Sequence, residues 1–393
     1  MKGAGMDRLN RRRFLTGTLA MGCAPAAMPL LTSASFASAP GENRLVVIVL
    51  RGGIDGLDLV RPVQDPAFAP LRRTLATEPG PELADGFQLH PGAEGLMGLW
   101  RAGELGFHHA VATPYRARRS HFDGQNLLEA GTAPDAPPAL RRSGWLNRLL
   151  QHWPGAELST AFGLGRESLP ILSGPAAASG WSPDTQLRLS SQGQALLSAL
   201  YMGDADFEAS AEAALALSRS LSPQVAGQGP LAEVERFAGF AAERLREETR
   251  IVALSLGGWD THANQRAALA MPLARLERLI TALRDGLGPV WGRTAVLALT
   301  EFGRTAAENG SAGTDHGTGG VMLYAGGALR GGQVLGRWPG LGNLLDGRDL
   351  EPTADVRASA GWVLRGLFGV DAGLIEGTIF PGVALGADPG LLL

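Results

Sequence analysis

The sequence predicts an α/β fold with three layers, in which a mostly parallel central sheet lies between helices. Three apolar runs contain β-branched residues and each ends at a polar or glycine-rich turn: residues 44–50, 251–256 and 294–300. Such runs are typical of strands that are buried on both faces of a parallel sheet. Residues 264–287, between the second and third runs, carry leucine and isoleucine at helical spacing, which predicts an amphipathic crossover helix.

The rest of the chain adds helices to this sheet. Residues 205–249 predict two helices rich in alanine and glutamate, broken near Pro223, as a helical insertion. Residues 354–368 predict a helix that closes the fold. The sequence contains no repeat and no low-complexity linker, so residues 40–393 are expected to form a single domain.

The first 39 residues have the pattern of a twin-arginine export signal. Arginines 11–13 precede Phe14 and Leu15, an uncharged run covers residues 16–31, and small residues end the segment at Ala37-Ser-Ala39. Glycine and proline interrupt the uncharged run, so a retained membrane helix is not expected. The pattern therefore predicts contact with the twin-arginine translocase during export, and a periplasmic or secreted protein with no stable membrane span.

Cysteine usage and charge exclude several classes of function. The only cysteine, Cys23, lies within the predicted signal, so a cleaved chain has no thiol for a disulfide or a thiolate zinc site. A lipoprotein signal at Cys23 is the alternative, although Ala20 stands where such signals have leucine. Cleavage after residue 39 removes five basic residues and Asp7, so the formal charge changes from −3 to −7. General electrostatic binding to nucleic acid is therefore not expected.

Polar side chains follow each predicted central strand. Asp55 follows the first, Asp260 and His262 follow the second, and Glu301 follows the third. In open α/β sheets, ligands bind outside the carboxyl ends of the strands. Three glycine-rich turns also carry acidic residues, and two of them carry a histidine: residues 51–56, 257–262 and 313–317. Carboxylates and imidazoles bind metal ions, and glycine lets backbone N–H groups approach an anion, so this pattern predicts a split metal or phosphate site.

Each residue of that pattern also has a structural interpretation. Asp55 is either a metal ligand or a turn residue that bonds to its own backbone. Asp260 and His262 are two residues apart, so in an extended segment they point to one side and favour a shared metal. Asp315 and His316 lie in a loop of flexible glycines, and a bound metal or ligand is one way to order such a loop.

Residues 115–125 lead into a helix that is expected to start near Ser120. Ser120 and Asp123 match a capping box, so the simplest interpretation is a helix start. The same position favours a nucleophilic hydroxyl, because a helix N-terminus stabilises negative charge. His121 is either a ligand or a residue of the helix face. The neighbouring arginines can bind an oxyanion through their guanidinium groups: Arg116, Arg118 and Arg119. Glu301 either binds metal or pairs with Arg304.

Five blocks in this order along the chain resemble a bacterial family known only as domain of unknown function 1501. They are RGGIDG from residue 51, RSHFD from residue 119, GGWDTH from residue 257, EFGRT from residue 301 and GTDHG from residue 313. That family is similar to a branch of the alkaline phosphatase and sulfatase superfamily. The resemblance implies an alkaline-phosphatase-like fold, a mostly parallel sheet between helical layers, with a nucleophile assisted by metal.

The resemblance also implies roles for individual residues. Asp55 would be the metal ligand after the first strand, Ser120 the nucleophile, and Asp260 with His262 would bind one metal. The superfamily then has an Asp-His pair and a final histidine. Either Asp315 and His316 are the pair and no later histidine follows, or Glu301 with Phe302 takes its place and His316 is the final ligand. We prefer the second mapping because Glu301 ends a strand.

Both mappings leave a two-zinc ligand set incomplete, and His121 or Asp315 can fill the gap. The expected cofactor is a divalent metal: Zn, Ca, Mg or Mn. The first functional hypothesis is an exported metal-dependent hydrolase of a small anionic ester, either a phosphate or a sulfate, in which Ser120 attacks and Arg118, Arg119 or Arg304 orients the oxyanion. The alternative is a non-catalytic periplasmic binding or assembly protein. An oxidoreductase is disfavoured because no Gly-x-Gly-x-x-Gly motif follows a strand.

Overall fold

A nine-stranded sheet forms the centre of the molecule. The computed structural model describes residues 41–116, 119–167, 169–183 and 229–393. The strands of the described residues are β1 (Arg44–Arg51), β2 (Val60–Arg61), β3 (Gln88–Leu89), β4 (Leu105–Ala112), β5 (Ala161–Leu164), β6 (Ser179–Trp181), β7 (Ile251–Gly257), β8 (Thr294–Thr300), β9 (Gly320–Ala325), β10 (Val334–Leu335) and β11 (Ala354–Asp355). β2 and β3 form a separate two-stranded sheet, and the other nine strands form the central sheet.

The three central strands are parallel neighbours, as the sequence predicts. The order in the sheet is β10, β4, β9, β8, β1, β7, β5, β6, and β11 pairs with β4. β1 pairs in parallel with both β7 and β8, and Leu50 lies opposite Leu256 on one side and Thr300 on the other. β9 is antiparallel to β4 and β8. The sheet is therefore mostly parallel, and its three central strands end at one edge.

Helices cover the sheet. In the described residues the α-helices are α1 (Gly56–Leu59), α2 (Phe68–Leu71), α3 (Met97–Arg101), α4 (His121–Ala130), α5 (Pro138–Arg141), α6 (Trp145–Gln151), α7 (Pro230–Leu245), α8 (Gln265–Ala268), α9 (Ala270–Leu287), α10 (Val356–Phe368) and α11 (Ala372–Leu374). Shorter 3₁₀ segments are Ala84–Gly86, Pro91–Leu96, Pro170–Leu172 and Gly288–Arg293, and Ile375–Ile379 is a π-helical turn.

The core lies on both faces of β1. Val46, Ile48 and Leu50 are buried in one cluster with α7 and α9, and the alternating residues of a strand face the other side. α9 contributes a helical stripe of fully or nearly fully buried leucine and isoleucine: Leu273, Leu276, Leu279, Ile280, Leu283 and Leu287. Each such side chain contributes roughly 1.5–3 kcal/mol on burial. α10 lies outside that cluster and packs on β8, which gives the predicted three layers.

Two element boundaries differ from the predictions. The predicted helix over residues 264–287 is two helices, α8 and α9, with Leu269 between them. Pro272 lies in the first turn of α9, where its missing N–H group would be unbonded in any case. The closing helix begins at Val356 because residues 354 and 355 pair with β4. Asp355 then caps the helix by accepting from the N–H of Arg357.

Some predictions concern residues that the structure does not describe. α7 lies within the predicted helical insertion, whereas residues 205–228, including Pro223, are outside the described residues. The predicted export signal over residues 1–39 is also outside them. Among the helices that are described, none is both long enough and apolar enough to cross a membrane.

Candidate metal centre

The glycine turn after β1 lets three loops approach one another closely. A Cβ atom at Gly52 would lie 2.6 Å from the backbone nitrogen of Asp260, and one at Gly53 would lie 2.6 Å from Cε2 of Phe302. Both glycines also have positive φ, 123° and 67°, a region that side chains disfavour. The loops after β7 and β8 can therefore pack directly on the end of β1.

The helix α4 presents His121 to this edge of the sheet. Ser120 is its N-cap, and the Oγ atom accepts from the N–H of Asp123 at 3.4 Å. The N–H of Ser120 donates to the hydroxyl of Tyr115 at 2.9 Å. The helix start predicted from the capping box is confirmed. The role of Ser120 as a nucleophile stays a prediction.

Glu301 holds the ring of His121. It is fully buried at the end of β8, and Oε1 accepts from Nδ1 of His121 at 2.8 Å, from the N–H of Gly52 at 2.9 Å and from Nε2 of Gln125 at 3.0 Å. Burial alone would raise the pKa of Glu301, but the hydrogen bonds from His121, Gln125 and Gly52 lower it. The Glu301–Arg304 ion pair is not formed: Glu301 is a carboxylate that orients His121.

Three histidines are oriented in the same way. Nδ1 of His316 lies 2.7 Å from the carbonyl oxygen of Arg119, and Nδ1 of His262 lies 3.2 Å from Oδ1 of Asp315. The pKa of Asp315 is lowered, chiefly by a hydrogen bond from Asn309, so this group is a carboxylate. Carboxylates and carbonyl oxygens only accept hydrogen bonds, so Nδ1 carries a hydrogen in His262 and His316, as it does in His121. In the neutral form of each ring, Nε2 then has a free lone pair.

The three Nε2 atoms converge on Asp260. The distances to its carboxylate are 3.3 Å from His121 to Oδ2, 3.0 Å from His262 to Oδ1 and 3.1 Å from His316 to Oδ1. Burial by itself would raise the pKa of Asp260, but Arg304 and the histidines lower it. The Asp260 side chain is 43% exposed, so the cluster is open to solvent.

Three of these residues form a group that fits a metal ion, and His262 lies beside it. Ligand atoms of His121, Asp260 and His316 all lie within 4.8 Å of one another, and Nε2 of His262 is 2.9 Å from Nε2 of His316. Nε2 of His121 is buried and has no hydrogen-bond partner in the described residues. Metal-binding histidines commonly donate their other nitrogen to a carboxylate or a carbonyl, as all three rings do here. We call His121, Asp260, His262 and His316 the metal centre.

The pKa values of two rings respond to their surroundings in opposite directions. The pKa of His121 is raised, chiefly by the hydrogen bond to Glu301. The pKa of His316 is lowered, chiefly by burial. The two rings contact each other edge to face at 4.3 Å between centroids.

Arg304 supplies a buried positive charge beside the metal centre. Its Nη2 atom donates to Oδ1 of Asp260 at 2.9 Å and to the carbonyl of Trp259 at 3.3 Å. Nε and Nη1 are buried without a hydrogen-bond partner among the residues that the structure describes. Burial lowers the pKa of Arg304, although Asp260 opposes that effect. Unused buried N–H groups of a guanidinium are suited to an oxyanion.

The glycine-rich loop over residues 309–320 is held by the protein itself. The N–H of Thr305 donates to the carbonyl of Asp315 at 2.9 Å, and the N–H of Gly317 donates to the carbonyl of Gly303 at 2.8 Å. Oδ1 of Asn309 accepts from two N–H groups within the loop. These bonds within the protein place His316 in the centre.

Asp55 lies in a different network, and this corrects the assignment of Asp55 as a ligand of the metal centre. Its buried carboxylate forms two hydrogen bonds with Arg72, at 2.6 and 3.1 Å, and one with Nε2 of Gln265 at 2.7 Å. Oδ1 also accepts from the N–H groups of Leu57 and Asp58, as the turn interpretation predicts. Burial would raise the pKa of Asp55, but Arg72 and Gln265 lower it. Arg72 neutralises this carboxylate.

The side chains of Arg116 and Arg119 bond to groups outside the metal centre. Nη2 of Arg119 pairs with Oδ2 of Asp349 at 2.9 Å, so Arg119 orients His316 only through its carbonyl. Nη1 of Arg116 donates to the carbonyls of Thr113 and Tyr115. Arg118 is outside the described residues. The expectation that Arg119 binds the oxyanion is therefore corrected, and the same role for Arg304 stays a prediction.

The sequence did not indicate three residues that support this region. Gln125 lies four residues after His121, which places both on one helix face, and that spacing was a usable signal. Arg72 and Gln265 carry no such signal, because each contacts Asp55 only through the tertiary fold.

Comparisons with known proteins give a family and a set of weak structural likenesses. A family model described as "Protein of unknown function (DUF1501)" matches residues 86–356. None of the curated proteins matches the chain. The lipoteichoic acid synthase LtaP of Listeria monocytogenes is 8% identical, with 90% of this chain and 77% of that chain covered and a TM-score of 0.43.

Two other solved structures are similar at the same level. A protein in the alkaline phosphatase superfamily from Vibrio parahaemolyticus is 13% identical, with 93% of this chain and 76% of that chain covered and a TM-score of 0.42. The C-terminal periplasmic domain of EcEptC from Escherichia coli, in complex with Zn, is 9% identical, with 73% of each chain covered and a TM-score of 0.37.

Proposed function

This chain belongs to the DUF1501 family, and from that premise and the geometry of the metal centre we propose that it is an exported, metal-dependent hydrolase of a phosphate or sulfate ester. The observation that carries the proposal is the convergence of three Nε2 atoms on the carboxylate of Asp260, with every Nδ1 atom held by an acceptor. The sequence resemblance to the alkaline phosphatase and sulfatase superfamily supports the same reaction class.

The donor set favours zinc among the metals expected from the sequence. Three imidazole nitrogens and one carboxylate form the centre. Calcium and magnesium prefer oxygen ligands, whereas zinc is commonly bound by histidine with one or more carboxylates. A zinc ion bound by these residues would neutralise negative charge on the ester and lower the pKa of a coordinated hydroxyl group.

Ser120 is the proposed nucleophile. It precedes His121 and is the N-cap of α4, where the backbone dipole stabilises negative charge on its oxygen. Its Oγ atom would form a bond to phosphorus or sulfur while the ester bond to the leaving oxygen breaks. The leaving alcohol takes the proton that the serine gives up. Water then cleaves the seryl ester, releases phosphate or sulfate and restores the hydroxyl group.

Arg304 is proposed to bind the oxyanion of the ester. It is held by Asp260 through Nη2, and its Nε and Nη1 groups have no hydrogen-bond partner in the part of the chain that is described. An oxyanion that accepts from these groups removes the cost of leaving them unbonded.

Elemental analysis by plasma mass spectrometry, on protein purified without chelators, tests the proposal. We expect zinc near one equivalent in the wild type and little metal in Asp260→Ala. Asp285→Ala, an exposed aspartate on α9, is the matched control and should keep its metal. The loaded protein should release phosphate or sulfate from an aryl ester, and Asp260→Ala should not. Absence of metal from wild-type protein after reconstitution with zinc would overturn the proposal.

One observation favours the second candidate, a non-catalytic periplasmic binding or assembly protein. Asp55 is neutralised by Arg72, so a carboxylate that the resemblance implies as a metal ligand does not contribute to the centre. Stoichiometric zinc with no turnover of phosphate monoesters, phosphate diesters or sulfate esters would select this candidate.

A further inference from the structure

A cleft lies beside the first turn of α4, next to the metal centre. It has a volume of about 870 Å³, and the part of its lining that matters here consists of Tyr115, Arg116, Phe122, Leu127, Arg141 and Arg142. We call it the arginine cleft. The metal centre uses none of these side chains.

One apolar wall separates the arginine cleft from the metal centre. Tyr115 and Leu127 form a buried cluster with Phe302. The ring of Phe302 lies 5.0 Å from the ring of His121 and 4.9 Å from that of His316, measured between centroids. Tyr115 also accepts the N–H of Ser120 through its hydroxyl. A ligand in the cleft would therefore lie one side-chain layer from the proposed nucleophile.

Phe122 gives the cleft an exposed apolar surface. Its side chain is 75% exposed, more than any other large apolar side chain of the described residues except Leu393 at the end of the chain. Phe122 follows His121 directly, at the second position of α4, so the helix fixes its place beside a residue of the metal centre. The ring of a phenylalanine is a favourable contact for an aromatic or aliphatic group.

The cleft is also positively charged. Arg141 and Arg142 are exposed, and neither guanidinium forms a hydrogen bond or ion pair with any described residue. Arg116 uses Nη1 for two carbonyls of its own loop. Asp123 is the acidic residue of the lining. Three arginines therefore face one aspartate, which leaves two positive charges beside an apolar surface.

We propose that the arginine cleft is a subsite for the part of the substrate that does not react, and that it takes an aromatic or short aliphatic group carrying a second negative charge. The ring of Phe122 and the wall of Tyr115 and Leu127 contact the apolar part. Arg141 and Arg142 bind the anionic end through bidentate hydrogen bonds. The inference rests on the proposed function for the identity of the reacting ester, but the binding itself needs no turnover.

Calorimetric titration with 2-naphthalenesulfonate, a probe that cannot be hydrolysed as an ester, tests this subsite. The same titration with 2-naphthol and with inorganic sulfate measures the apolar and anionic parts separately. The variants are Arg141→Gln with Arg142→Gln, and Phe122→Ser. The matched control is Arg101→Gln with Arg330→Gln, which removes two exposed arginines outside the lining of the cleft.

We expect the probe to bind wild-type protein at least tenfold more tightly than either 2-naphthol or sulfate. The Arg141/Arg142 double variant and Phe122→Ser should each weaken it at least tenfold, and the control pair should change it less than twofold. The proposed subsite would be wrong if the control pair lost as much affinity for the probe as the cleft variants. It would also be wrong if both cleft variants bound the probe as tightly as the wild type.

Titration of Asp260→Ala separates this inference from the proposed function. The cleft lies outside the metal centre, so this variant should bind the probe as tightly as the wild type even though its metal is lost. If wild-type protein hydrolyses no ester but the cleft variants lose the probe, the proposed function fails and the subsite stands. If Asp260→Ala loses the probe together with its metal, the sulfonate binds at the metal centre and the subsite is wrong.

Discussion

Nε2 of His262 lies 2.9 Å from Nε2 of His316, while Nδ1 of each ring faces an oxygen acceptor. Two neutral rings with hydrogen on Nδ1 would present lone pairs to each other at this distance, which is repulsive. A shared proton or a cation between the rings removes the repulsion. The contact is therefore a structural reason to expect bound positive charge at this point.

Zinc should stabilise the fold through this contact. A ligand that binds only the folded state adds about 4 kcal/mol of unfolding free energy at a concentration about a thousandfold above its Kd. Thermal unfolding of chelator-treated protein, with and without zinc, measures the shift. His262→Ala and His316→Ala should lose most of it. His152→Ala, a half-buried histidine directly after α6, should keep it, and an equal loss there would contradict the assignment.

Glu301→Gln should weaken metal binding although Glu301 is not in the metal centre. The carboxylate fixes the ring of His121 and keeps hydrogen on Nδ1, and loss of such a partner typically costs 10–100-fold in metal affinity. Competition with a chromophoric chelator measures the affinity. Glu235→Gln, which breaks a surface ion pair with Arg278, is the control. Unchanged affinity in Glu301→Gln would remove Glu301 from any role in orienting His121.

Asp55→Asn should change stability and leave the metal in place. The variant leaves the buried charge of Arg72 without its partner, and breaking a buried pair on one side costs about 3–5 kcal/mol. Denaturant unfolding at pH 7 measures the loss of unfolding free energy. Elemental analysis at denaturant concentrations below the unfolding transition measures the metal bound to the folded variant. Arg72→Met should lose similar stability and also keep its metal. Loss of metal in folded Asp55→Asn would restore Asp55 as a ligand.

The sequence predicted the edge of the sheet where the site lies, because strand ends can be located from local apolar runs. It also placed Asp260, His262 and His316 among the ligand candidates from glycine-rich turns alone. It could not distinguish a ligand from a partner of a ligand. Glu301 and Asp315 face Nδ1 atoms rather than Nε2 atoms, and that difference depends on ring orientation, which no local pattern records.

The assignment of Asp55 failed for a related reason. Arg72 lies in a short segment that carries no motif, and it meets Asp55 only because the end of α2 packs against the turn after β1. No sequence motif contains both Asp55 and Arg72, so this buried pair is a consequence of the tertiary fold. The same holds for Gln265, which contacts both Asp55 and Asp58.

The stability of the protein should fall between pH 8 and pH 5 because of His108 and His109. Burial lowers the pKa of each to about 4. His109 accepts from the N–H of Ala110 through Nδ1 and faces the carbonyl of Val60 through Nε2, so a second proton would break a bond. In the unfolded chain these rings titrate near 6.5, so the unfolded state binds more protons as the pH falls below that value.

The expected loss is about 2 kcal/mol for each ring between pH 8 and pH 5, and it grows to about 3 kcal/mol as the pH approaches 4. Denaturant unfolding in chelator at several pH values measures the slope. His109→Gln should reduce the dependence of the unfolding free energy on pH by about the contribution of one ring. This holds whatever the substitution does to stability at pH 8. An identical slope in wild type and variant would show that His109 is not neutral in the fold.

The two roles of Ser120 can be separated by two substitutions. Ser120→Ala removes the hydroxyl and the helix cap together, and loss of a cap costs about 1 kcal/mol. Ser120→Asn keeps an acceptor for the N–H of Asp123 but has no hydroxyl group, since asparagine is also a favourable N-cap. Both variants should bind zinc and neither should hydrolyse an ester, whereas only Ser120→Ala should unfold more easily. If Ser120→Asn retains wild-type turnover, the serine is a helix cap alone and another group, such as water bound at the metal centre, is the nucleophile.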